Sequence, residues 1–168
     1  MKSLTIINLE VASGKEYQIN YNSLDKGSKQ YIDRDYLFDY IPGFLRKETY
    51  IKTAGNDKMI NENELCFSFE TNVPITVYIV YADKLKILPK WLEGYNNTRD
   101  KITRQDSNTS NLKGIFSLFS KDFEAGKINL GGNLAEKMLD DQKFKDSGPL
   151  GTNYCMYSVI LVKRWKLI

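Results

Sequence analysis

Val73–Ala82 reads VPITVYIVYA, and its pattern decides the fold. In an extended chain Ile75, Val77, Ile79 and Tyr81 fall on one face; Thr76, Tyr78, Val80 and Ala82 fall on the other. A strand with one wet face alternates apolar and polar residues. Here β-branched and aromatic side chains occupy both faces, the pattern of a strand inside a sheet with something packed on each side. The stretch predicts the central strand of a two-layer stack. Pro74 stands at its entrance, where a missing N–H is tolerated.

Working upstream, Leu65–Glu70 alternates, with Leu65, Phe67 and Phe69 expected to face inward. Glu48–Thr53 is a short strand closed by the turn Ala54-Gly55-Asn56-Asp57. Tyr31–Tyr40 (YIDRDYLFDY) sets aromatics around three aspartates and Arg34, and Pro42-Gly43 breaks it. Leu4–Val11 and Lys15–Tyr21 alternate on either side of Gly14, which predicts a hairpin.

Downstream, Leu88-Pro89-Lys90-Trp91-Leu92 is turn-like, and Tyr95–Lys113 predicts a solvated polar loop around a weak strand near Ile102. Gly114–Ser120, Phe123–Leu130 and Tyr154–Val162 read as strands, with a tight turn at Gly131-Gly132-Asn133. Leu134 and Met138 are spaced for a helix, as are Ala135 and Leu139, so Leu134–Thr152 predicts a surface insertion with one or two helical turns. About eight to ten short strands without a long amphipathic helix predict an all-β fold. The expectation is one antiparallel, jelly-roll-like β-sandwich over residues 1–168, with short helical turns in its loops and an insertion around 134–152.

Composition narrows the chemistry. The chain has 168 residues, 42% hydrophobic and 27% charged, which suits one globular domain with a sizeable core. Its net charge of +3, with acids and bases interspersed, does not predict a nucleic-acid partner. There is no histidine, which removes Ser-His-Asp and Cys-His nucleophilic sites and most zinc sites. Cys66 and Cys155 both sit in apolar runs and read as buried thiols, with a disulfide or a reactive group as the other options. No run has signal-peptide or transmembrane character. The expected location is cytoplasmic if Met1 is the native start, and extracellular if a signal peptide has been removed.

Two bends gather polar groups. Asp33, Arg34 and Asp35 flank one; Lys52, Asp57 and Lys58 flank the other. If both bends meet at one end of the sandwich, their carboxylates and cationic donors suit sugar hydroxyls or a carboxylate-bearing sugar. The other reading is local turn chemistry and internal ion pairing. Trp91 either stacks on a sugar ring or plugs one sheet between Leu88 and Leu92. Asp33, Asp35 and Asp57 with backbone carbonyls offer a calcium site, but no EF-hand spacing is present. No other cofactor is expected.

A family resemblance lies in the order of several segments. They are Tyr31-Ile32-Asp33-Arg34-Asp35-Tyr36, Ile41-Pro42-Gly43-Phe44-Leu45, Tyr50-Ile51-Lys52-Thr53-Ala54 and Leu88-Pro89-Lys90-Trp91-Leu92. Val77-Tyr78-Ile79-Val80-Tyr81 and Ser120–Gly126 leading into Leu130-Gly131-Gly132-Asn133 belong to the same set. Over roughly residues 5–163 the chain resembles an accessory β-sandwich domain of secreted bacterial polysaccharide-degrading proteins, such as pectate-lyase-type enzymes. The resemblance implies a galactose-binding-like or jelly-roll sandwich that binds carbohydrate or acts as a scaffold rather than a catalyst.

The leading expectation is a non-catalytic binding module that recognises a carbohydrate or similar polar ligand through loops at one end. An intracellular protein-interaction scaffold on the same sandwich is the alternative. A carboxylate-based carbohydrate-active enzyme comes third, since no nucleophile or metal motif supports it.

Overall fold

The computed structural model describes residues 2–105, 113–141 and 154–165. Among these, ten strands form two antiparallel sheets. They are β1 (Ile6–Val11), β2 (Gln18–Asn20), β3 (Leu37–Tyr40), β4 (Thr49–Lys52), β5 (Leu65–Thr71), β6 (Ile75–Ala82), β7 (Asn96–Gln105), β8 (Lys113–Phe123), β9 (Gly126–Gly131) and β10 (Ser158–Lys163). The smaller sheet runs β1-β5-β9 and the larger runs β2-β4-β10-β6-β8-β7-β3. The fold is the all-β sandwich that the sequence predicts, its helical content confined to short 3-10 turns such as Gly55–Asp57 and Glu136–Asp140.

The quoted stretch is β6, the fourth of seven strands. Its Ile75, Val77, Ile79 and Val80 are fully buried. Burial of such side chains stabilises by about 2 kcal/mol each. Register explains why both faces are apolar. On the second face, Val80 sits opposite Ser158 and Leu118, and Ala82 opposite Phe116. Tyr50 and Ile160 continue the same face, and all but the half-buried Tyr78 are buried. Residues 22–48 fold back over this side. Phe38 meets Tyr50 edge-on at 6.1 Å, the Tyr50 hydroxyl donates to Lys29 O, and the Gln30 amide donates to Ser158 Oγ at 2.9 Å. The smaller sheet supplies Phe67 and Phe69 to the first layer, where Phe67 stacks against Tyr157.

Four local expectations fail. The predicted hairpin of the first two strands does not form, because β1 pairs with β5 while β2 pairs with β4. Gly14, at φ 77, turns the chain between layers, and Tyr17 drives into the core against Phe67 at 5.1 Å. Leu65 is exposed rather than inward, because a bulge between Leu65 and Phe67 lets adjacent Cys66 and Phe67 both be buried. The expected loop after Tyr95 is instead the ten-residue β7. A bulge between Asn97 and Lys101, with Arg99 at φ 70, leaves its first half wet and masks its alternation.

The fourth concerns the glycines at 131 and 132. Neither takes a positive φ. A Cβ on Gly132 would lie 2.1 Å from Asn61 O, and one on Gly131 would lie 2.4 Å from Trp91 Cδ1. Close approach, not turn conformation, requires glycine here.

The expected insertion begins inside the wall. Leu134, Ala135 and Met138 are buried, and the Glu62 carboxylate accepts the backbone N–H groups of Glu136 and Lys90 at 2.6 and 2.7 Å. Its continuation over 142–153 lies outside the described residues. Cys66 is buried, Cys155 is half-buried, and neither is in a disulfide. Among the described residues no helix is long and apolar enough to cross a membrane.

Candidate functional site

Antiparallel pairing brings the end of β6, the start of β8, the approach to β10 and the exit of β4 to one end of the larger sheet. A cavity of about 740 Å³ opens there. Its floor is Ala82, Phe116 and Arg104; its walls include Tyr31, Tyr36, Arg34, Lys58, Lys84, Lys86 and Tyr154.

Arg104 reaches the cavity from β7, at the position paired with Gly114. A Cβ on Gly114 would sit 3.0 Å from Arg104 Nε and 3.2 Å from the Phe116 ring, so this glycine leaves room for the guanidinium. Arg104 lies 4.1 Å from the Tyr36 ring centroid and 5.5 Å from that of Phe116. It donates to Gln30 Oε1 at 3.5 Å and to the Tyr31 hydroxyl at 3.4 Å. That hydroxyl in turn donates to Met156 O at 2.6 Å. Arg104 is 6% exposed, so it braces the floor while its charge faces the cavity.

Arg34 repeats the device on the opposite wall. A Cβ on Gly55 would lie 3.1 Å from Arg34 Cγ, so a second glycine makes room for a second arginine. Asp33 fixes the bend by accepting the backbone N–H groups of Gly55 and Asn56 at 2.6 and 3.0 Å. Arg34 donates to Asp33 O and Asn56 Oδ1, and pairs with the Asp33 carboxylate at 3.3 Å. A guanidinium carries five N–H donors. These internal bonds leave donors for a ligand.

Lys58 sits beside them, half-buried. Burial lowers its pKa from the ordinary lysine value, and the charges of Arg34 and Arg104 push the same way, partly offset by Cys155. Lys84 and Lys86 are exposed at the rim. The one carboxylate among the described residues of the wall, Asp83, accepts from Lys101 Nζ at 2.8 Å and from Ser117 Oγ at 2.5 Å.

The two predicted bends do meet, through Asp33, Arg34, Gly55 and Asn56, but the predicted residues divide. Arg34 and Lys58 line the cavity, and Asp33 positions Arg34 from behind. Asp35 points to solvent, 4.0 Å from Lys29, and Lys52 stays on β4 outside the cavity wall. Asp57 turns the other way. It is 2% exposed and accepts from Lys15 Nζ at 2.8 Å, Ser13 Oγ at 2.9 Å and the Tyr17 hydroxyl at 2.5 Å. Burial, reinforced by Cys66 and by Asp57 itself, pushes Tyr17 well above the ordinary phenol range.

Trp91 packs over Gly131, meets Tyr157 edge-on at 5.4 Å and donates to Gly132 O at 2.9 Å, so it takes the plug role. The aspartates offered for calcium point three ways. Among the described residues no group of three or more metal-ligating side chains converges.

Tyr31, Tyr36, Lys84, Lys86, Arg104 and Phe116 were missed as site residues. The available signal was the Ile102–Arg104 alternation opposite an apolar strand that begins with glycine. It places a cation beside Phe116 on a packed face.

No family model matches the chain, and no curated protein matches it by sequence. Two solved structures share its fold. A beta-glucuronidase from glycoside hydrolase family 2 superposes with a TM-score of 0.71 at 19% identity over 94% of this chain. A GH138 enzyme targeting pectin rhamnogalacturonan II gives 0.50 at 13% identity over 93%. The chain spans 14% and 16% of the length of these proteins. The sandwich is therefore a fold that also occurs as a small part of these two enzymes, neither of which is a pectate lyase.

Proposed function

We propose that the chain is a non-catalytic glycan-binding module whose ligand sits in the end cavity. One observation carries this reading: a 740 Å³ concavity that sets tyrosine and phenylalanine rings beside fixed N–H donors. Aromatic faces suit the apolar faces of sugar rings, and convergent donors suit their oxygens. The volume lies within the few-hundred to about 1,000 Å³ range typical of small-ligand sites. The shared fold with glycoside hydrolases supports a carbohydrate setting.

Binding rather than hydrolysis is favoured by the donor set. Two-carboxylate hydrolysis needs a pair of acids about 5–9 Å apart across the bond. Among the described residues the cavity wall offers one acid, Asp83, already bonded to Lys101 and Ser117. The direct test is a broad glycan array followed by calorimetry on the folded protein. At least one glycan should bind, and Arg34→Gln should weaken it while Trp91→Phe leaves it unchanged. A folded protein that binds nothing on the array would overturn the reading.

A further inference from the structure

The cavity holds a concentration of charge that the chain as a whole does not. Among the described residues, Arg34, Lys58, Lys84, Lys86 and Arg104 line it beside one carboxylate, that of Asp83. The complete chain carries only +3. Several cations elsewhere pair with acids, among them Lys15 with Asp57 and Arg46 and Lys47 with Asp25, and in the wall itself Arg34 pairs with Asp33. Among the described residues Lys58, Lys84 and Lys86 have no carboxylate partner.

Like charges gathered at a partly buried site repel one another, and at Lys58 the charges of Arg34 and Arg104 add to the burial that lowers its pKa. An arriving anion would relieve that repulsion. A flat planar anion also matches the fork of Arg34, whose bend is pinned from behind by Asp33.

Resting on the glycan-binding reading above, we infer that the ligand is an acidic glycan: the carboxylate of a uronic acid residue engages Arg34 and Lys58, with a sugar ring against the half-buried Tyr36. Lys84 and Lys86 at the rim attract and orient further acidic units. Arg104 positions Tyr36 and Phe116 and contributes charge from the floor.

Calorimetry on the full chain tests this with oligogalacturonate and oligoglucuronate, their methyl esters, and the matched neutral galactose and glucose oligosaccharides. A short single-stranded DNA and inorganic phosphate complete the set. An acid oligosaccharide should bind at least about tenfold more tightly than its methyl ester and its neutral counterpart, the worth of a charge-assisted contact. The preference should shrink as salt rises. Lys58→Gln should remove most of it. The double variant Lys84→Gln/Lys86→Gln, which alters only exposed side chains, should weaken it several-fold without changing the melting temperature.

Equal affinity for acidic and neutral oligosaccharides overturns the acidic-ligand inference and leaves the glycan-binding reading standing. Binding of DNA or phosphate without any oligosaccharide overturns both. A uronate preference that survives both variants overturns the assignment to this cavity.

Discussion

Asp57 and Lys58 are neighbours in the chain and opposites in the molecule. Asp57 enters a closed cluster in which Ser13, Lys15 and Tyr17 all donate to one carboxylate. Lys58 opens into a cavity where cations face one another and the one acid among the described residues of its wall, Asp83, is engaged by Lys101 and Ser117. A closed cluster holds structure together: here it pins the β1–β2 connection to the bend after β4. An open one, where Lys58 has no carboxylate partner among the described residues, has somewhere for a ligand to go. The 3-10 turn Gly55–Asp57 sends these adjacent side chains to different sides. Sequence reading grouped them because both are polar turn residues, and only the turn geometry separates them.

Substitution at the closed cluster should have the largest effect. Asp57→Ala leaves the Tyr17 hydroxyl and a partly buried ammonium without their acceptor. It should cost about 3 kcal/mol of stability in urea titrations. Asp57→Asn should cost less, because an amide oxygen still accepts.

Alkaline pH should act in opposite directions on the two clusters. The Tyr17 pKa is raised in the folded state, so its stabilisation is full below the ordinary phenol pKa of 10.0 and is lost as pH rises past it. Lys58 is the reverse. Its folded pKa lies below 10.5, so its cost to the fold is present below that depressed value and is relieved as pH rises toward 10.5. Tyr31 and Tyr157 are raised like Tyr17, so the net expectation is falling stability above about pH 10. Urea midpoints across that range should show a shallower fall in Tyr17→Phe and a slightly steeper one in Lys58→Met.

The glycine beneath Arg34 gives a smaller effect. Gly55→Ala places a methyl 3.1 Å from Arg34 Cγ and 3.3 Å from an Asp33 oxygen. The side chain can yield, so stability should change by less than about 1 kcal/mol. Ligand affinity should fall several-fold by calorimetry as Arg34 shifts. Lys58→Met should move stability least, within about 0.5 kcal/mol at neutral pH. Any gain would set it apart from Asp57→Ala in sign as well as size.

How much of this was legible in the sequence depended on whether a residue's role is local. β6 was legible because packing on both faces of a central strand writes itself as unbroken apolar character. β7 was not, because one face is wet, a bulge interrupts it, and its buried positions are Ile102 and a cation. The meeting of the two bends was foreseen as a condition. Its membership was not, since Arg104 and Phe116 reach the cavity through register with strands far away in the chain. Trp91 was weighed as either ligand platform or plug, and the close packing of Gly131 decides for the plug.

The placement of β10 has a consequence for assembly. It lies between β4 and β6, although β6 ends at Ala82 and β10 starts at Ser158. Until that late segment arrives, the large sheet is two fragments with facing open edges. Closing it requires a long loop to be fixed first, which makes for slow maturation and a window for mispairing. The same gap is an engineering opportunity. A version lacking Ser158–Lys163 should accept that segment as a separate peptide, and recovery of the end cavity would report when the strand has seated.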